Sequence, residues 1–178
     1  DCELSRGLGD VYKRQMQGLG PKGVNFTYTS DANCLHDGSL SNYDALMIYA
    51  NIGNITAEQE KGILDYVYKG GAFLPIHCAS YCFLNSMQYV KLVGAQFKSH
   101  GVGTFTTEIK KPDHPIMSGF KGFETWDETY VHHKGTDDRN ILQTREGEPW
   151  TWTREPGKGR VFYTAYGHDQ RTWGLLFS

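Results

Sequence analysis

The sequence predicts a single α/β domain: a mostly parallel sheet with helices on both faces. Three observations carry that reading. Two short, nearly continuous apolar runs, YDALMIY at 43–49 and AFLPIH at 72–77, have the composition of strands buried on both faces. Between them lies an amphipathic stretch with clear start and stop signals. That strand–helix–strand order calls for parallel strands joined by a crossover helix.

Taken in order, residues 1–15 (DCELSRGLGDVYKRQ) show no period of two or of 3.6, and no signal-peptide pattern. The run SRGLGDVYKRQ looks like translated adaptor or read-through sequence. The native start is expected near Met16 or Gln17, with one domain over 16–178. Residues 24–29 (VNFTYT) alternate and are rich in β-branched and aromatic side chains, which predicts a strand. A polar loop over 30–42 precedes the first buried strand. Thr56 and Gln59 form a capping box, Glu58 and Glu60 sit in the first turn, and Ile63, Leu64 and Val67 share a face, so a helix runs to Gly70-Gly71.

After the second buried strand, 78–93 is expected to be a helix interrupted near Asn85-Ser86. Residues 103–109 alternate and predict another strand. The stretches KPDHPIMSGF and FETWDETYVHH are expected to be loop-rich. Residues 141–144, 150–153 and 160–166 are further strands, and the GKG before Arg160 suits a hairpin turn. The chain stops at RTWGLLFS, inside what looks like an element.

Composition limits the function classes. Hydrophobic residues make up 39% and charged residues 21%, the balance of a folded globular domain. Net charge is −2 with no basic block, which argues against nucleic acid as a partner. No apolar stretch approaches the roughly 20 residues of a membrane-spanning helix, so a soluble domain is expected, in cytoplasm or periplasm. Cys2, Cys34, Cys78 and Cys82 contain no CxxC pair, so neither a zinc ribbon nor a thioredoxin-like site is supported.

Histidines and acids recur at strand ends and in loops: His77, His100, Asp127, Glu128, Tyr130, His132, His133, His168 and Asp169. Neutral imidazole with carboxylate suits a zinc-like or manganese-like divalent metal, and equally suits acid–base catalysis near neutral pH. His77 stands first, at a strand-to-helix turn where related folds place a nucleophile on a sharp elbow; the alternative is a histidine capping the next helix. His168-Asp169 follows another strand; the alternative is a turn aspartate beside a surface histidine. His100 is expected on a loop. Of the adjacent Asp127 and Glu128 only one can face a cleft from an extended segment, and Glu128 is favoured. His132 and His133 are expected at the surface, and His114 before Pro115 is expected to serve turn geometry. Cys78 beside His77 permits a cysteine dyad on paper, but its flanks are not those of an elbow. Trp126, Tyr130 and Tyr166 are candidates to stack on sugar rings, whereas Trp150 and Trp152 on one strand face read as core.

The ordered set YDALMIY, TAEQEKGILDYVYKGGAFLPIH, YVKLVGAQFKSH, DHPIMSGF, WDETYV and PWTWTREPGKGRVFYTAYGHDQRTW resembles the ThuA-like, or trehalose-utilisation, family over residues 24–173. The resemblance implies a flavodoxin-like three-layer sandwich of the class I glutamine amidotransferase type. It also implies an opening strand and helix bearing another histidine-containing loop, of which residues 1–23 show nothing; from the apolar RTWGLLFS end, a C-terminal helix is expected to be missing as well. In the amidotransferases a cysteine occupies the elbow; here that position is His77, which argues against glutamine hydrolysis. The family's cleft motifs fall on His77, His100, Glu128, His168 and Asp169. They imply a small carbohydrate partner, a disaccharide or keto-sugar, handled by metal or acid–base chemistry. A non-catalytic carbohydrate-binding module is the alternative.

Overall fold

The computed structural model describes residues 17–176. Among the described residues, eight strands form two sheets: β1 (Ala45–Ile48), β2 (Ala72–Pro75), β3 (Gln96–Phe105), β4 (Glu108–Ile109), β5 (Thr125–His133), β6 (Asn140–Arg145), β7 (Glu148–Arg154) and β8 (Arg160–Thr164). The helices are α1 (Ala57–Tyr68), α2 (Met87–Val93) and α3 (Gln170–Leu176). The larger sheet has the order β1-β2-β8-β7-β6-β4, and β3 pairs with β5 in a separate ribbon. The β1–β2 and β2–β8 pairs are parallel; beyond β8 the sheet turns antiparallel. The GKG turn does join a hairpin, β7 to β8.

Alternate residues of each strand face opposite sides of the sheet. On one side Ile48, Phe73, Trp152, Val161 and Tyr163 share the main core with Ile63 and Val67 of α1, Leu92 and Val93 of α2, and Tyr130 of the ribbon. On the other side Met47, Tyr49, Leu74 and Ile76 pack around Trp173 of α3. Helices therefore cover both faces, as the flavodoxin-like fold requires. No helix among the described residues is long and apolar enough to cross a membrane.

Helix α1 begins where the capping box places it: Thr56 Oγ1 accepts from Gln59 N at 3.2 Å, and Gln59 Oε1 accepts from Thr56 N at 3.1 Å. Its Gly62 is required by contact, since a Cβ there would stand 1.9 Å from the Leu35 carbonyl oxygen. The interruption near Ser86 is also present: a 3₁₀ turn spans His77–Tyr81, and Ser86 caps α2 by accepting from Tyr89 N at 2.9 Å.

Four expectations need correction. Residues 24–29 are not a strand. The alternation is expressed, with Phe26 and Tyr28 half-buried and stacked at 5.8 Å, but no described strand runs alongside to pair its backbone groups. The polar loop over 30–42 contains two 3₁₀ turns, Ala32–Leu35 and Ser39–Asn42. The strand read at 103–109 begins earlier, at Gln96, and divides into β3 and β4 because the chain changes sheets; His100 is thus on a strand, not a loop. WDETYVHH, read as loop, is most of β5, whose pairing with β3 runs from Thr125 to His133.

Candidate functional site

The parallel strands β2 and β8 end side by side, and the site forms there. His77 follows β2 after one residue, Ile76, and is the only member of the His77–Tyr81 turn forced into the left-handed region, with φ +49°. A non-glycine residue there is strained by roughly 1–2 kcal/mol, so the surroundings must hold it. Gly167, after β8, permits close approach: a Cβ at that position would lie 3.2 Å from the His77 Cβ. The His77 ring is fully buried and stacks on Tyr130 at 4.2 Å.

His77 Nδ1 lies 2.7 Å from the Ala165 carbonyl oxygen. A carbonyl only accepts, so Nδ1 carries a proton. Nε2 then points at Glu128 Oε2, 3.1 Å away. In the neutral ring both of those atoms present lone pairs, so the contact needs a shared proton or a cation between them. Glu128 Oε1 also meets His168 Nδ1 at 3.3 Å and His100 Nε2 at 3.7 Å. Ligand atoms of His77, Glu128 and His168 all lie within 4.8 Å of one another. Burial pushes the Glu128 carboxyl up, but the hydrogen bond to His77 and the charges of His77, His168 and His100 outweigh it and hold the group below its usual range. Side-chain exposure rises from 0% at His77 and 12% at Glu128 to 37% and 38% at His100 and His168, so the cluster runs from the core to solvent.

The adjacent acids separate. Glu128 faces the histidines, while Asp127 is fully buried and accepts from four backbone N–H groups: Glu128 at 2.9 Å, Gly167 at 2.9 Å, His168 at 3.1 Å and Asp169 at 3.2 Å. It ties the loop after β8 to β5 and so sets His168 beside Glu128. Asp169, expected at the site, is engaged by Arg171 at 2.6 and 3.0 Å, an interaction that holds its carboxyl below the usual range. It is not among the converging groups. Arg171 in turn covers the Trp126 ring at 4.4 Å.

Other expected residues are placed differently. Tyr166 lies in the core, not on a sugar-facing surface, with its hydroxyl 2.8 Å from Thr107 Oγ1; burial pushes that hydroxyl up to about 12. Trp150 and Trp152 are core, as read. Tyr130 is the floor under His77. His114 caps the Pro115–Met117 turn, accepting from Ile116 N at 3.3 Å, which is the turn role expected of it. His133 is exposed, but His132, expected at the surface, has only 2% of its side chain exposed. Cys78 is buried in the turn after His77. The sequence reading missed Tyr81, which is 40% exposed and meets Phe97 edge-on at 5.3 Å, Phe97 being 5.8 Å from His100. Nothing in its local pattern marked it, because only the ribbon's position brings it to the rim.

The family model for ThuA, described as trehalose utilisation, matches residues 11–175. No curated protein matches the sequence. Among solved structures, a ThuA-like protein from Parabacteroides merdae superposes with a TM-score of 0.77 at 19% identity, covering 93% of this chain and 75% of that one. A ThuA-like protein from Bacteroides uniformis gives 0.73 at 18% identity, covering 95% and 79%. The cold-adapted β-galactosidase of Rahnella sp. R3 gives 0.69 at 17% identity, with 93% of this chain covering 26% of that one. These likenesses concern the fold.

Proposed function

The chain belongs to the ThuA family of trehalose-utilisation proteins, and on that footing we propose that it is a carbohydrate-processing domain whose His77, Glu128 and His168 hold one divalent cation of the zinc type. The observation that carries the reading is the meeting of the His77 Nε2 lone pair and the Glu128 carboxylate at 3.1 Å, with a His168 nitrogen within the same 4.8 Å sphere. Two imidazoles and one carboxylate are the donor set of catalytic zinc sites, which keep a further position open. The Ala165 carbonyl fixes the His77 tautomer in the manner of an outer partner to a metal-bound histidine. Such an ion, when bound, supplies Lewis acidity toward a hydroxyl or carbonyl oxygen of a disaccharide or keto-sugar.

The chain's own residues supply the rest. Glu128 carries the negative charge that offsets the cation. His100, half-exposed on β3 at 3.7 Å from Glu128 Oε1, is placed to take or give a proton at the solvent side. Tyr81 offers an exposed aromatic face at the rim for a sugar ring. A binding module without chemistry finds less support, because Tyr166, Trp150 and Trp152 are all in the core.

Elemental analysis of the purified protein before and after chelation, with Co²⁺ titration of the stripped form, tests the metal. Stoichiometric binding that is lost in His77→Ala is expected. No binding by a folded protein contradicts the reading and leaves acid–base chemistry by His77, Glu128 and His168, with Asp169 and Arg171 beside them, as what remains to be assayed on disaccharides.

A further inference from the structure

Beyond the His77 carbonyl lies a second polar chain that the proposed chemistry does not use. The His77 carbonyl oxygen is met by Ser80 Oγ at 3.1 Å and by the Tyr163 hydroxyl at 3.1 Å. The Tyr163 hydroxyl also lies 3.0 Å from Ser80 Oγ and 3.0 Å from His132 Nε2. His132 Nδ1 faces Glu148 Oε1 at 3.4 Å, long for a hydrogen bond, and the same oxygen accepts from the His132 backbone N–H at 2.9 Å. Tyr163, Ser80 and the His132 ring are all but fully buried, and Glu148 is the solvent end, with 23% of its side chain exposed.

Proton counting gives this chain a direction. A phenol oxygen 3.1 Å from a carbonyl can meet it favourably only as a donor. Tyr163 has one hydroxyl proton, so if it is given to His77 O it is not available for His132. The His132 Nε2 must then be the donor to Tyr163. We propose that His132 and Tyr163 are positioning residues for His77: His132 Nε2–H donates to the Tyr163 hydroxyl, which donates to the His77 carbonyl and holds that residue in its left-handed conformation.

The surroundings fit this role. The Tyr163 ring is fixed by stacking on Trp152 at 4.2 Å, and Trp152 is itself anchored through Nε1 to the Val93 carbonyl at 2.8 Å. His132 stands edge-on to both rings, at 5.2 and 5.4 Å. The chain can therefore transmit a fixed position rather than a mobile one. With Nε2 donating, the facing pair of Nδ1 and Glu148 Oε1 is favourable only when Nδ1 carries a proton too; burial disfavours that second proton while Glu148 favours it. What is held is the strained residue whose ring meets Ala165 and Glu128.

The affinity arm of the test rests on the metal reading; the spectroscopic arm does not. Long-range ¹H–¹⁵N NMR of the stripped wild-type protein is expected to show a protonated Nε2 on His132. It should also show a slowly exchanging Nδ1–H on His77, and Tyr163→Phe should broaden that signal by exchange. Co²⁺ affinity should fall about tenfold in Tyr163→Phe and in His132→Leu, in line with other outer-partner losses, whereas His132→Gln, which keeps a donor, should stay within about threefold of wild type. A bare Nε2 on His132, or a His77 Nδ1–H and a Co²⁺ affinity unchanged in Tyr163→Phe, overturns the proposal. Failure of the wild type to bind Co²⁺ contradicts the metal reading instead, and the NMR result then decides the positioning role by itself. If Tyr163→Phe fails to fold, the wild-type protonation state at Nε2 decides it.

Discussion

The two ends of the parallel strands β2 and β8 are built from the same sheet and differ sharply. At the amino ends the chain enters β2 through Gly70, with φ +128°, and the positive φ carries no steric cost because glycine has no Cβ. An open groove of about 520 Å³ lies there, lined by Tyr43, Asp44, Tyr66, Lys69 and Arg160. Two of these side chains make local contacts: Tyr66 with the Tyr43 carbonyl at 3.1 Å and Lys69 with Asp65 at 3.4 Å. At the carboxyl ends the corresponding left-handed position is His77, buried and strained, with two carboxylates converging on it and on the loop after β8. Strain is accepted at a histidine where the other end uses glycine, which agrees with placing the proposed site at the carboxyl ends.

That contrast can be broken at three points, and a fourth lies outside it. The largest effect is expected for Asp127→Ala, which strands four backbone N–H groups, those of Glu128 and Gly167 buried and those of His168 and Asp169 part-buried. At roughly 1–3 kcal/mol for each unsatisfied group, urea denaturation should show a loss of about 3 kcal/mol or more. A loss under about 1 kcal/mol would mean that the 167–169 loop is held by other means. Next, Glu128→Gln, which removes a proposed ligand's charge, should reduce Co²⁺ affinity by more than the roughly tenfold expected of an outer-partner loss, with little change in melting temperature, while Tyr43→Ala at the opposite groove leaves affinity unchanged. Equal effects at both ends would erase the distinction.

Gly70→Ala should do the reverse, costing about 1–2 kcal/mol from the forced left-handed backbone with the site's affinity intact. The smallest effect belongs to neither end. Asp138 on the loop before β6 is held at about 2 by the hydrogen bonds from Arg154. A folded value below the unfolded one, about 3.9, means that its contribution is complete above pH 4 and is lost as pH falls through 2. Asp138→Asn should flatten that part of the stability–pH curve, by a modest amount because Asp138 is largely exposed.

Much of the fold is legible in the sequence where a local signal decides the structure. The Thr56–Gln59 box and the apolar runs around β1 and β2 needed no distant partner to be read. Residues 24–29 have the right alternation and still form no strand, because a strand is decided by its neighbour. β5 was missed for the opposite reason: its Asp, Glu and His residues look like loop composition, and only pairing with β3 explains them. The site shows the same division. His77, Glu128 and His168 could be picked out from strand ends and from the ThuA resemblance. The roles of Asp127 and His132 could not, since one depends on a loop forty residues away folding back and the other on a ribbon lying against β8.

Anomalous diffraction from crystals soaked in Zn²⁺, recorded on both sides of the zinc edge, tests the central claim most directly. The account predicts one strong peak about 2.0–2.2 Å from His77 Nε2, a Glu128 oxygen and a His168 nitrogen, with no peak in the groove at the amino ends. Well-ordered density for these three side chains with no peak among them, or a peak only at the opposite end of the sheet, would contradict it.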